Sequence, residues 1–191
     1  MKRKKEPLYV RIVRQALPIL IVCAVIEIIA GLVLQNIEDY LSILPGLLVL
    51  VPGVMGMRGN LTGIFGSRLT SALHLGTMLP RFRENILLKE NVKANLFMSI
   101  VSSVVIGIIA HFACIIFGFT SMGIIKFILI PMIAGFLSDI FIMVLTSSIA
   151  FLSFRKGHDP DNILMPSATS ISDVFSILAL FLTVKVFMLF S

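Results

Sequence analysis

Five apolar stretches, separated by short charged segments, constrain this chain of 191 residues before anything else does. A helix needs roughly 18 to 20 apolar residues to cross about 30 Å of hydrocarbon, and each stretch reaches that length. A soluble domain of this size covers its surface with charge. Here 14% of residues are charged and 58% are hydrophobic. With no water to satisfy peptide groups in a bilayer, such runs form helices. The expectation is an all-α integral membrane protein with five transmembrane helices, forming one domain over residues 1–191 of a multi-pass cell-membrane protein.

The spans are expected at 16–36, 43–78, 93–118, 124–153 and 163–190. At 1.5 Å per residue the second reaches about 54 Å, too long for a straight crossing. Pro-Gly pairs at 45–46 and 52–53 are expected to break it. Residues 1–15 form a basic flank with Lys2, Arg3, Lys4, Lys5, Arg11 and Arg14. No small-residue cleavage site follows, so the first span reads as a retained helix rather than a leader. Arg81, Arg83 and Lys89 follow the second span, and Arg155 and Lys156 follow the fourth. The intervening loops carry Glu38 and Asp39, or Lys126 alone. By the positive-inside rule the N-terminus is cytosolic and the C-terminus outside. The net charge of +6 lies mostly in such flanks, so it speaks of topology and anionic membrane lipid, not of nucleic acid. Cys23 and Cys114 lie in different apolar runs with no metal-type spacing and read as core residues.

Ionisable groups inside spans are expensive and each is a candidate for function. Those here are Glu27, Arg58, Arg68, His111, Asp139 and Asp173. Asp173 lies about 15 Å into the fifth span, near the midplane. Thr169, Asp173, Ser176 and Thr183 share one helical face. Oxygen ligands on one stripe suit water or a hard cation; the alternative is a carboxylate that stitches helices by pairing with Arg58 or Arg68. Asp139 and Glu27 are either secondary ion or proton sites or buried partners for those arginines. His111, alone in an apolar span, reads as an interhelical hydrogen-bonder. Asp159 and Asp161, in "HDPDN", either attract cations at the inner mouth or cap the fifth helix.

On the second span, Gly56, Asn60, Gly63 and Ser67 repeat at four, three and four and form a small, polar face. Glycine admits close approach of an ion or a backbone. Unwound carbonyls at membrane depth occur only where they line a cavity or are buried in protein. "PGVMGMRGN" therefore reads as a helix break that exposes oxygen, with small-residue packing through Gly59 and Gly63 as the alternative.

"VPGVMGMRGNLTGIFGSRLTSALHLG" at 51–76 resembles the second-helix signature of the MgtE magnesium transporter and channel family, especially its relatives in solute-carrier family 41. "HDPDNILMPSATSISDVFSI" at 158–177 is similar to that family's entry into its fifth helix. The resemblance implies a homodimer, or a fused pair of such units, around a pore lined by the second and fifth helices. It implies a magnesium site centred on Asp173, with backbone oxygens of Gly56 and Gly59, Asn60 beside them and Thr169 one turn earlier. Magnesium would be the transported ion and would keep much of its hydration shell. One five-span unit supplies half a pore, so dimerisation is expected, and the cytosolic sensor domains of the bacterial channel are absent from the 191 residues.

The function expected is transport of a divalent cation, magnesium, across the membrane through a pore formed by a homodimer, with a sodium- or proton-coupled exporter as the alternative. A metal-dependent membrane enzyme needs carboxylates clustered on neighbouring turns, whereas here they sit singly on separate spans, so the chain is not expected to be an enzyme. A purely structural membrane protein would leave the polar stripes unexplained.

Overall fold

The computed structural model describes residues 7–42, 44–83, 85–156 and 160–189. Five helices follow one another: α1 Leu8–Ser42, α2 Leu47–His74, α3 Ile86–Ile116, α4 Ile124–Arg155 and α5 Pro160–Leu189. Each contains a segment long and apolar enough to span a membrane.

Helix α1 begins before residue 16 and runs past "NIEDY", where the apolar pattern stops. Charge ends an apolar window, but without glycine or proline between 32 and 44 nothing ends the helix. Helix α2, at 28 residues, is about 42 Å long and shorter than the span expected over 43–78. At its start the Pro45–Gly46 turn holds Gly46 at φ 82°, in the left-handed region. A methyl group there would come within 2.8 Å of both Cys114 Sγ and Phe127 Cζ, so only glycine fits. The other end closes through Gly76, whose N–H donates to the Leu73 carbonyl.

The break expected at Pro52–Gly53 does not form. Pro52 is the sixth residue of a continuous helix, and its missing N–H deprives only the Leu48 carbonyl of a partner. From Gly53 onward every amide can donate, so the helix proceeds through Gly56 and Gly59 without unwinding. Helix α3 starts seven residues before the apolar span because Asn85 caps it, its side chain accepting from Leu88 N at 3.1 Å. The Asn85 amide also donates to the Leu79 and Arg81 carbonyls, and Arg155 at the end of α4 donates to the Pro80 carbonyl.

Helix α5 packs against α1, α2 and α4, and α3 against α2 and α4; α1 lies chiefly along α5 and touches α2 lightly. Two buried apolar clusters result. One joins Leu50 and Val54 of α2, Ala110 and Cys114 of α3, Phe127 and Ile130 of α4, and Ile177 and Leu180 of α5. The other joins Phe65 and Leu69, Leu88, Met143 and Phe151, and Leu164 and Ala168. Between them every inner helix turns polar: Arg58 and Thr62, Ser99 and Ser103, Ser138 and Asp139, Ser172 and Ser176 are all buried. The outer faces remain apolar, with Phe97, Ile109, Phe136 and Leu182 exposed among many others. A polar layer between two greasy caps, inside a greasy exterior, places chemistry midway along the helices.

Candidate functional site

Within that layer, α2 and α5 run antiparallel. Their level is set by Thr62, whose hydroxyl donates to Ser172 Oγ at 3.2 Å. Toward the carboxyl end of α2 the two helices are in contact. A methyl on Gly63 would meet Met165 Cε at 3.2 Å, and one on Gly66 would meet Leu164 Cδ2 at 3.3 Å. In the other direction space opens beside the glycines of α2: methyls on Gly59 and Gly56 would meet nothing within 4 Å. By the antiparallel register this space lies at the level of the turn of α5 that carries Asp173 and Ser176, just beyond Ser172. Asn60 and Gly56 are exposed there and Gly59 is partly so.

Asp173 Oδ1 is buried yet has no hydrogen-bond partner among the described residues. The Glu27 carboxyl of α1 lies beside the same group, so α1 and α5 bring two acids together. On α5 the hydroxyls bond back to their own helix: Thr169 Oγ1 donates to the Met165 carbonyl at 2.9 Å, Ser176 Oγ to the Ser172 carbonyl at 2.7 Å and, farther along, Thr183 Oγ1 to the Ala179 carbonyl at 2.8 Å. Each proton is thus committed to the helix, which leaves the oxygen as an acceptor. Glu27 is exposed on the single protomer although it lies within the first apolar span. Among the described residues no three His, Cys, Asp or Glu side chains converge as a metal cage. Two carboxyls, hydroxyl oxygens and open space beside glycines suit a cation that keeps water, as magnesium does.

The other ionisable residues lie elsewhere. Asp139 pairs with Arg58, Oδ2 to Nη1 at 2.7 Å, which realises the partner alternative for both. Arg58 Nη1 also donates to Ser99 Oγ, and Nη2 to Ser103 Oγ at 2.9 Å and to the Pro131 carbonyl at 3.0 Å. Arg68 is exposed and, with Ser67, Ser71, Thr77 and Asn91, edges an open cavity of about 420 Å³ between α2 and α3. His111 Nδ1 lies 2.8 Å from Ser121 Oγ, with its ring against Phe112 and Phe127. Cys23 and Cys114 are buried free thiols. Asp161 falls in the first turn of α5, and Asp159 lies outside the described residues.

The serines that bind Arg58 were not singled out from the sequence. Their signal was present: Asn95, Ser99, Ser103 and Gly107 recur at every fourth position of α3, a small and polar stripe in an apolar helix.

Residues 51–183 match the MgtE family, described as a divalent cation transporter. Solute carrier family 41 member 2 of Homo sapiens is 29% identical over 159 residues, covering 78% of this chain and 26% of that protein. The Gallus gallus member 2 is 27% identical over 157 residues, with the same coverage. Solute carrier family 41 member 3 of Rattus norvegicus is 29% identical over 161 residues, covering 79% of this chain and 34% of its own length. The chain spans about a quarter to a third of these curated relatives. The family match takes in α5 through Thr183 but leaves out α1 and Glu27.

Proposed function

Because this chain belongs to the MgtE family of divalent cation transporters, we propose that it moves magnesium across the cell membrane along a path walled by α2 and α5. The observation that carries this reading is the buried, unpartnered Oδ1 of Asp173 beside the Glu27 carboxyl. Two carboxylates balance the charge of a dication, Asn60 and Thr169 add neutral oxygens at the rim, and Gly56 and Gly59, whose carbonyls stay in the continuous helix, leave room for a hydrated ion. A partly hydrated ion would touch these groups through its own water, which is how magnesium tolerates a site with few protein ligands.

A single protomer leaves Glu27, Gly56 and Asn60 exposed at membrane depth, an arrangement that lipid does not accommodate. A second copy facing the same surface would enclose a water-filled path, so the working unit is a homodimer. Its N-termini are cytosolic, since Arg81, Arg83, Arg155 and Lys156 lie at the same end of the bundle as Arg14 near the start of α1.

A channel and a proton- or sodium-coupled exporter both need a carboxylate at membrane depth, and Asp173 serves either. Purified protein in liposomes separates the cases through magnesium flux with and without proton and sodium gradients. A flux driven by the magnesium gradient alone, indifferent to both, marks a channel; uphill movement driven by either gradient marks an exchanger. No flux above that of protein-free liposomes would sink the transport reading.

A further inference from the structure

We propose that Arg58 and Asp139 form a positioning pair that sets the rotation of α2, and so aims its open face at the cation path without touching the ion. This goes beyond the transport reading and rests on it. Arg58 stands between Gly56 and Asn60 on α2 but points to the opposite side of the helix. At about 100° per residue, Gly56 and Asn60 lie about 160° and 200° round the helix from it. Whatever fixes the azimuth of Arg58 therefore fixes the azimuth of the open face.

The structure holds that azimuth from two neighbouring helices. On α4 the guanidinium binds the Asp139 carboxylate and the Pro131 carbonyl; on α3 it binds Ser99 and Ser103. A flat group gripped at both terminal nitrogens by acceptors on two helices cannot turn about the α2 axis without losing several of them. Helix α4 is cut to receive it, for a methyl on Gly135 would overlap the guanidinium carbon and nitrogens. Arg58 and Asp139 are 2% and 3% exposed, deep enough that the pair is desolvated. Leucine and glycine alone can pack membrane helices. An ion pair adds directional bonds at a large desolvation cost, and apolar replacements often match its contribution to stability. Orientation is what packing alone does not supply.

The test measures magnesium uptake into liposomes against concentration for the wild type, R58K and the double variant R58M/D139L, together with the melting temperature of each. Removing both charges leaves neither stranded, so the double variant is expected to fold with a melting temperature near the wild type. Its half-saturating magnesium concentration should rise about tenfold or more, as when groups supporting a metal's ligands are lost. The maximal rate should fall by less. R58K keeps the charge but not the planar fork and should lie between the two. A folded double variant with wild-type half-saturation and maximal rate overturns the proposal and leaves the pair a packing element. If the double variant does not fold, R58K decides in its place, and an unchanged half-saturating concentration there overturns the proposal equally. A wild-type protein that moves no divalent cation overturns instead the transport reading beneath it.

Discussion

Asp173 and Glu27 come from helices separated by well over a hundred residues, and each stands within an apolar stretch. Opposite unit charges 4 Å apart interact by about 4 kcal/mol at an effective dielectric of about 20. If desolvation and intervening water removed two thirds of that, the remaining ~1.4 kcal/mol would still be about tenfold in affinity. Asp173→Asn keeps size and one oxygen but loses the charge. It should therefore raise the half-saturating magnesium concentration by about tenfold or more and lower the maximal rate, while melting temperature and oligomeric size stay near those of the wild type. Glu27→Gln should raise the half-saturating concentration and preserve more of the maximal rate, because Glu27 is the more exposed of the two. A well-folded Asp173→Asn protein moving magnesium at the wild-type rate would remove Asp173 from the site. Asp173 was legible because a carboxylate in an apolar run is conspicuous. Its contact with Glu27 was not, since no local pattern pairs α1 with α5. Ser99 and Ser103 were hidden for another reason: a serine in a membrane helix can return its proton to its own backbone, so its presence there signals little.

Helix α2 shows where a local signal speaks for itself and where its position decides. The two Pro-Gly pairs look alike in sequence, yet only the first ends a helix. Gly46 adopts a left-handed backbone and backs onto Cys114 and Phe127, so both its conformation and its missing side chain are required. Gly53 is helical, and a methyl there would meet Ile106 Cγ2 at an ordinary 3.4 Å. The substitutions should therefore act in opposite directions. Gly46→Ala should destabilise by about 2 kcal/mol or more, from backbone strain and overpacking together. Gly53→Ala should stabilise by up to about 1 kcal/mol, the helix-propensity difference between the two residues. Thermal melting in detergent reads both. A loss at Gly53 comparable to that at Gly46 would mean that α2 does break at the second pair, as its sequence suggests. The five helices were legible from apolar length. Their ends were less so, because caps such as Asn85 and turns such as Pro45–Gly46 set helix limits, whereas hydropathy sets only the apolar window.

At the scale of the molecule, an apolar exterior and two apolar clusters enclose a polar layer that is buried on one side and open on the other. Toward α3 and α4 the layer is buried: Arg58 has Asp139, and Ser103 and Ser138 bond to helix carbonyls. Beside α1 and α5 it reaches the surface through Glu27, Asn60 and Gly56. Lipid is a poor neighbour for that surface, whereas a second copy related by a two-fold axis would set the same polar face opposite itself. Single cysteines at exposed α2 positions, Asn60→Cys and Ser67→Cys, in a background lacking Cys23 and Cys114, should cross-link between protomers in the membrane. Val101→Cys and Ile109→Cys, on the exposed apolar face of α3, should not. The pattern matters more than its strength. Cross-linking confined to α3 would place the partner on the buried side of the polar layer and leave Glu27 and Asn60 facing lipid, which their chemistry opposes. A monodisperse monomer in lipid that transports at the full wild-type rate would show that one protomer encloses the path by itself, and would leave the exposed carboxyl of Glu27 in need of another cover.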